Sequence, residues 1–123
     1  MEYEIAEGRI ELELKVLPMG EDLNVALTGG DSPHLGSVAV AFSAPGAAGG
    51  GKEFSVSLIT LPGHREDLLA RETALTIAEG TGRNCAVSCG IHIDGITPPE
   101  ISRVLELSRY LVNKFLAEQN LLL

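Results

Sequence analysis

Ile10-Glu11-Leu12-Glu13-Leu14-Lys15-Val16 decides the fold class of this chain. Apolar and charged residues alternate here without a slip. A period of two puts Ile10, Leu12, Leu14 and Val16 on one face of an extended strand, and Glu11, Glu13 and Lys15 on the other. One apolar and one charged face belong to a sheet that is covered on a single side. Toward the N-terminus, Tyr3 and Ile5 alternate with Glu2 and Glu4 in the same way, but the frame shifts at Gly8, which marks a bulge or a short break. In the other direction, Pro18 to Gly20 is a turn, and Leu23, Val25 and Leu27 form a second alternating strand that stops at Gly29-Gly30. Val38, Val40 and Phe42 give a third strand, and Phe54, Val56 and Leu58 a fourth. Between those two, residues 44–52 (APGAAGGGK) read as a flexible glycine-rich loop.

Helical spacing appears only after Pro62-Gly63. Leu68, Leu69, Leu75, Ile77 and Ala78 cluster on one side of a helix from near Glu66 to Glu79, which Gly80 and Gly82 close. Cys85 to Ser88 follow as a fifth strand ending at Gly90. Thr97-Pro98-Pro99-Glu100 then starts a second helix: Thr97 caps it, Pro98 suits its first turn and Glu100 completes a capping box. That helix carries Ile101, Val104, Leu105, Leu111, Val112, Phe115 and Leu116 at three- and four-residue offsets. The order ββββαβα predicts an α+β fold, a mostly antiparallel sheet of about five to six strands with two helices on one face. A chain of 123 residues without a linker predicts one domain over residues 1–123.

Composition narrows the function. Seventeen acidic against nine basic side chains give a formal charge of -8, and a nucleic-acid footprint would need the opposite sign. There is no Trp, and two Tyr and three Phe leave base-stacking surfaces poorly supplied. No apolar run approaches the roughly 20 residues of a membrane helix, and the N-terminal stretch has neither the cationic nor the apolar region of a signal peptide. A cytoplasmic location is therefore expected. Cys85 and Cys89 fall on one face of a strand about 13 Å apart, too far for a disulfide, and read as reduced, buried thiols. Residues 1–31 carry eight acids and two bases, whereas residues 32–123 carry nine and seven, so most of the acidity belongs to the first strands.

Gly46 to Lys52 satisfies the spacing of a phosphate-binding loop, but Glu53 stands where such a loop needs Ser or Thr, and a strand follows instead of a helix. The three histidines carry more information. His34, His64 and His92 each lie in a glycine-bounded segment after a strand, each within three residues of a carboxylate. Loops on a rigid sheet gather binding residues, and imidazole hydrogen-bonds, titrates or ligates near neutral pH. By spacing alone the three read either as separate surface turns or as one site, since the strands that precede them can deliver their C-terminal ends to one edge. A shared site would suit an anion. The Gly29-Gly30 and Gly90 backbone with His34, His64, Arg65 and His92 would surround it, while Asp31 and Asp94 orient imidazoles. Gaps of 30 and 28 residues between the histidines match no compact metal motif, so no metal ligands are assigned; a small metal-dependent enzyme using the three histidines is a third alternative. A Cys89–His92 nucleophilic pair is disfavoured, because alternation buries Cys89.

The run Leu27-Thr28-Gly29-Gly30-Asp31-Ser32-Pro33-His34-Leu35-Gly36-Ser37-Val38, then Gly63-His64, then Gly90-Ile91-His92-Ile93-Asp94 before a capped helix, resembles the LpdD-like small proteins. These accompany gallate-type hydroxyarene decarboxylases of the UbiD class and are regarded as prenylated-flavin chaperones with a fold like that of proteasome assembly chaperones. The resemblance covers roughly residues 8 to 116. It implies a non-catalytic accessory protein that transiently binds prenylated FMN or FMN and assists loading of a UbiD-type decarboxylase catalytic subunit. Asp31, His34, His64 and His92 are the matching positions, and Gly29, Gly30, Gly36, Arg65, Gly90 and Asp94 complete the expected cofactor-binding set. The fold resemblance also admits a protein-assembly chaperone acting through protein contacts alone, with the apolar tail Leu121-Leu122-Leu123 as one docking element. An unpaired sheet edge predicts a homodimer.

Overall fold

The frame shift at Gly8 is a chain reversal. Gly8, at φ 59°, and Arg9 turn the chain so that β1 (Glu2–Glu7) folds back antiparallel on β2 (Ile10–Met19), pairing Tyr3 with Leu14 and Ile5 with Leu12. The computed structural model, which describes residues 1–43 and 53–121, therefore has five strands before its first helix where the sequence pattern showed four. The expected flexible loop at 44–52 and the end of the apolar tail lie outside the described residues. The remaining elements are β3 (Asp22–Gly30), β4 (Ser37–Ser43), β5 (Phe54–Thr60), α1 (Asp67–Thr81), β6 (Cys85–His92) and α2 (Pro98–Leu121).

The strands form one sheet in the order β1-β2-β3-β6-β4-β5. Its pairings are antiparallel except one: β6 runs parallel to β3, with Leu23 beside Cys85 and Gly30 beside His92. The sheet is thus mixed, though mostly antiparallel as expected. The cause is α1, which carries the chain from the end of β5 back to the other end of the sheet, so that β6 enters between β3 and β4 in the same direction as β5.

Both helices cover the apolar face of the sheet, α1 over β4, β5 and β6, α2 over β1 and β2. Leu14, Val25, Leu27, Val87, Ile77, Leu111 and Phe115 are fully buried between the layers, and burial of each stabilises the fold by about 1.5–3 kcal/mol. The buried stripe of α1 is Leu69, Ala70, Thr73, Ala74, Ile77 and Ala78. Leu68, which the spacing placed in that stripe, is 76% exposed. The helix ends at Gly82, left-handed at φ 70°, whose N–H donates to the Ala78 carbonyl at 2.8 Å. In α2, Val104, Leu107, Leu111, Val112 and Phe115 face inward while Ile101 stays exposed. No helix among the described residues is long and apolar enough to cross a membrane.

Polar clamps fasten α2 to the first hairpin. The Tyr3 hydroxyl donates to Glu118 Oε2 at 2.6 Å, its ring meets Phe115 edge-on at 6.0 Å, and Arg103 pairs with Glu7 and Glu106. Burial and the neighbouring Glu118 carboxylate push the Tyr3 phenol up to about 12. No described element covers the other face of the sheet. Glu4, Glu11, Glu13 and Lys15 occupy its β1–β2 side, whereas its β4–β5 side is uncharged, with Val40, Phe42 and Ile59 beside Ser55 and Ser57 and with Ile59 70% exposed. Most important for function, β1, β3, β5 and β6 all run in one direction, so the segments that follow them gather at one end of the sheet.

Candidate functional site

Three segments converge at that end: residues 31–36 after β3, residues 61–66 after β5 and residues 93–97 after β6. The first crosses over the end of β6 to reach β4. Its path is fixed by backbone bonds from Asp31 N–H to the His92 carbonyl at 2.6 Å and from Gly36 N–H to the Cys89 carbonyl at 2.9 Å. Leu61 N–H donates to the Gly36 carbonyl at 2.8 Å and draws in the second segment. The crossing requires Gly90, because a Cβ there would land on the carbonyl of His34. Gly30, at φ 81°, turns the chain out of β3 where any side chain would strike the His92 carbonyl.

This geometry brings the three histidines to one place. The His34 and His64 rings lie 4.6 Å apart and inclined by 31°, and the His92 ring stands 6.3 Å from His34 at 71°. Separate surface turns are excluded. His34 Nδ1 lies 3.0 Å from the Ser32 carbonyl, and since a carbonyl only accepts, Nδ1 carries a proton. His34 Nε2 lies 2.9 Å from Glu66 Oε1, close enough for charge attraction but too bent for a hydrogen bond, so this buried nitrogen has no hydrogen-bond partner among the described residues. His64 Nδ1 is 3.9 Å from Glu66 Oε2. His92 Nε2 contacts Asp94 Oδ1 at 2.8 Å, the orienting role anticipated for Asp94. Asp31 does something else: its Oδ2 accepts the Asp94 backbone N–H at 2.8 Å and locks the turn after β6.

Arg65 is exposed, and its guanidinium makes no ion pair among the described residues, which leaves a cation beside His64. Gly29, Gly30 and Gly90 sit within the strand ladders, where backbone amides point along the sheet toward neighbouring strands. The chain itself accounts for their small size. A side chain at Gly29 would meet the Glu11 carbonyl, and one at Gly36 the Glu66 carboxylate. Cys89 is buried and free, and burial, reinforced by Glu66, pushes its thiol up to about 12, so it is no nucleophile at neutral pH.

Two residues escaped the sequence reading. Glu66 figured there as a helix start and as a carboxylate near His64 in sequence, with no link to His34, yet it stands between His34 and His64; the three offer ligand atoms within 4.8 Å of one another. Arg9, from the β1–β2 turn, donates to the carbonyls of Asp94 at 2.6 Å and Gly95 at 3.3 Å and grips Glu100 with two bonds of 2.7 and 2.8 Å. Arg9 and the Thr97 cap hold the Glu100 carboxyl down to about 2. The capping box is as expected, with Thr97 N–H and Oγ1 each 3.0 Å from Glu100 Oε1. The one available signal for Arg9 was a lone cation in a Gly turn within an otherwise acidic segment.

A concavity of about 610 Å³ lies beside this cluster on the acidic side of β1–β3 and shares Gly30 and Pro33 with it. Glu4, Glu11 and Glu13 line it, so it repels a phosphate while remaining open to an uncharged ring.

A crystal structure of a chaperone complex for yeast 20S proteasome assembly has the same fold, with a TM-score of 0.57 over 98% of this chain and 93% of the other at 20% identity. No curated protein matches the sequence. Residues 6–120 match the prenylated flavin chaperone LpdD-like domain, and over that length the chain belongs to this family.

Proposed function

We propose that this protein is a non-catalytic, cytoplasmic chaperone that binds prenylated FMN, or FMN, and assists loading of a UbiD-type decarboxylase. The observation that carries the reading is the convergence of His34, His64 and His92 at one end of the sheet, beside Arg65, which makes no ion pair among the described residues, and within a chain of the flavin-chaperone family. The donor set suits a phosphate. N–H groups of His64 and His92 and the Arg65 guanidinium donate to its oxygens, and the acidic concavity next door directs the phosphate toward Arg65 and leaves its own space to the ring. The flavin would supply the decarboxylation chemistry only in the partner enzyme; here the residues bind and orient. The chain acts as a homodimer through the exposed Val40, Phe42 and Ile59 on the uncharged β4–β5 part of the sheet face opposite the helices.

Titration of the purified protein with prenylated FMN or FMN, followed by flavin fluorescence, tests the reading. Saturable binding that Arg65→Ala and His92→Ala weaken supports it; absence of binding, together with no gain in holo-decarboxylase on co-expression, overturns it. A second reading is a protein-assembly chaperone with no small ligand, favoured by the fold shared with the yeast complex, although a shared fold is weak support for function. Recovery of proteasome-like subunits and no decarboxylase in a native pull-down would favour that alternative.

A further inference from the structure

We infer that His34, His64 and Glu66 form a binding site for a divalent transition-metal ion, an inference that goes beyond the flavin reading and stands without it. The ligand atoms are His34 Nε2, His64 Nδ1 and a Glu66 carboxylate oxygen, which lie within 4.8 Å of one another. Two separations are already short, 2.9 Å from His34 to Glu66 and 3.9 Å from His64 to Glu66.

The decisive feature is the state of His34. Its Nδ1–H is held by the Ser32 carbonyl, so in the neutral ring Nε2 carries the lone pair. That nitrogen is buried, lacks a hydrogen-bond partner among the described residues and faces a carboxylate oxygen, which is also an acceptor. Two acceptors at such a distance repel unless a cation lies with them. A proton on Nε2 is a poor bridge, because the approach is too bent for a hydrogen bond. A metal ion bound by both acceptors and by His64 would remove that repulsion. The Ser32 carbonyl is then the outer partner that metal-bound imidazoles regularly have, fixing tautomer and ring orientation.

Two imidazoles and one carboxylate select zinc, cobalt, nickel or ferrous iron over magnesium and calcium, which prefer oxygen alone. Three protein ligands leave at least one coordination position for water or an outside donor. The site is assembled by topology: Gly36 gives the Glu66 carboxylate room, and Arg65 N–H holds Glu66 Oε2 at 3.1 Å.

Calorimetric titration of the full-length chain with Zn²⁺, and separately with Mg²⁺, in phosphate-free buffer tests the site. One Zn²⁺ per chain, no Mg²⁺ binding and a loss of more than about 100-fold in Zn²⁺ affinity in Glu66→Gln are the expected results. Absent Zn²⁺ binding, or unchanged affinity in Glu66→Gln, overturns the inference. Should Glu66→Gln fail to fold, the Co²⁺ spectrum of the unaltered protein decides. Intense visible bands of a four- or five-coordinate ion support the site, and the weak spectrum of hydrated Co²⁺ overturns it. Flavin titration in the presence of a chelator reads the proposed function separately, so either result can fail alone.

Discussion

The carbonyl oxygen of His34 occupies the position where a side chain on Gly90 would begin. One glycine in β6 therefore sets how low the histidine-bearing segment lies over the sheet. Gly90→Ala forces strand and crossing segment apart, an overpacking that costs about 1–3 kcal/mol or more. Urea denaturation should show that loss, and flavin fluorescence should show weaker binding in the variant that remains folded. Unchanged stability would mean that the crossing is loose.

Adjacent leucines at the start of α1 separate core from surface. Leu69 is 7% exposed and Leu68 is 76% exposed. Leu69→Ala should cost about 2–5 kcal/mol, and Leu68→Ala less than about 0.5 kcal/mol, in thermal or chemical unfolding. Equal effects would contradict the helix orientation.

The grip of Arg9 on Glu100 sets an acid limit. The folded carboxyl titrates at about 2, below its ordinary 4.5, so the contribution of Glu100 to stability is complete above 4.5 and disappears as pH falls toward about 2. The stability difference between the protein and Glu100→Gln should be level from pH 7 to 5 and shrink only below that. A difference that fades between pH 7 and 5 would assign the effect to another group.

On the sheet face opposite the helices, Phe42 and Ile59 expose apolar surface that a second copy would bury in the proposed homodimer. Gel filtration with light scattering should give twice the mass of 13.0 kDa, and Ile59→Lys should return it to the monomer value without loss of helix signal. A monomer at micromolar concentration, before any substitution, would remove the dimer from the proposal.

What the sequence disclosed follows from how each feature is encoded. Alternation from Ile10 to Val16 survives in the sequence because half-burial imprints a period of two, and Thr97 with Glu100 is legible because a cap is local. The insertion of β6 between β3 and β4 was not legible, since alternation says which face is buried and nothing about the neighbouring strand. The same limit hid Glu66 and Arg9. Glu66 meets a histidine 32 positions away, and Arg9 meets a carboxylate 91 positions away, and neither separation leaves a periodic trace. The histidines could be foreseen as a set only through the shared direction of the strands before them; the packing that brings His34 and His64 to 4.6 Å is tertiary. Leu68 was misplaced because Leu68 and Leu69 are equally apolar and the helix begins between a loop and its first full turn, where spacing is ambiguous by one residue.

The clamp of α2 on the first hairpin bears on how the protein is made. Tyr3 meets Glu118 across 115 positions, Glu7 meets Arg103 across 96 and Arg9 meets Glu100 across 91. While the ribosome is still synthesising the last helix, the apolar side of β1 and β2 has no cover, so the nascent chain exposes Leu12, Leu14 and Val16 until α2 emerges. Closure of the fold thus waits for α2, and until then the apolar side of the first hairpin is open to solvent.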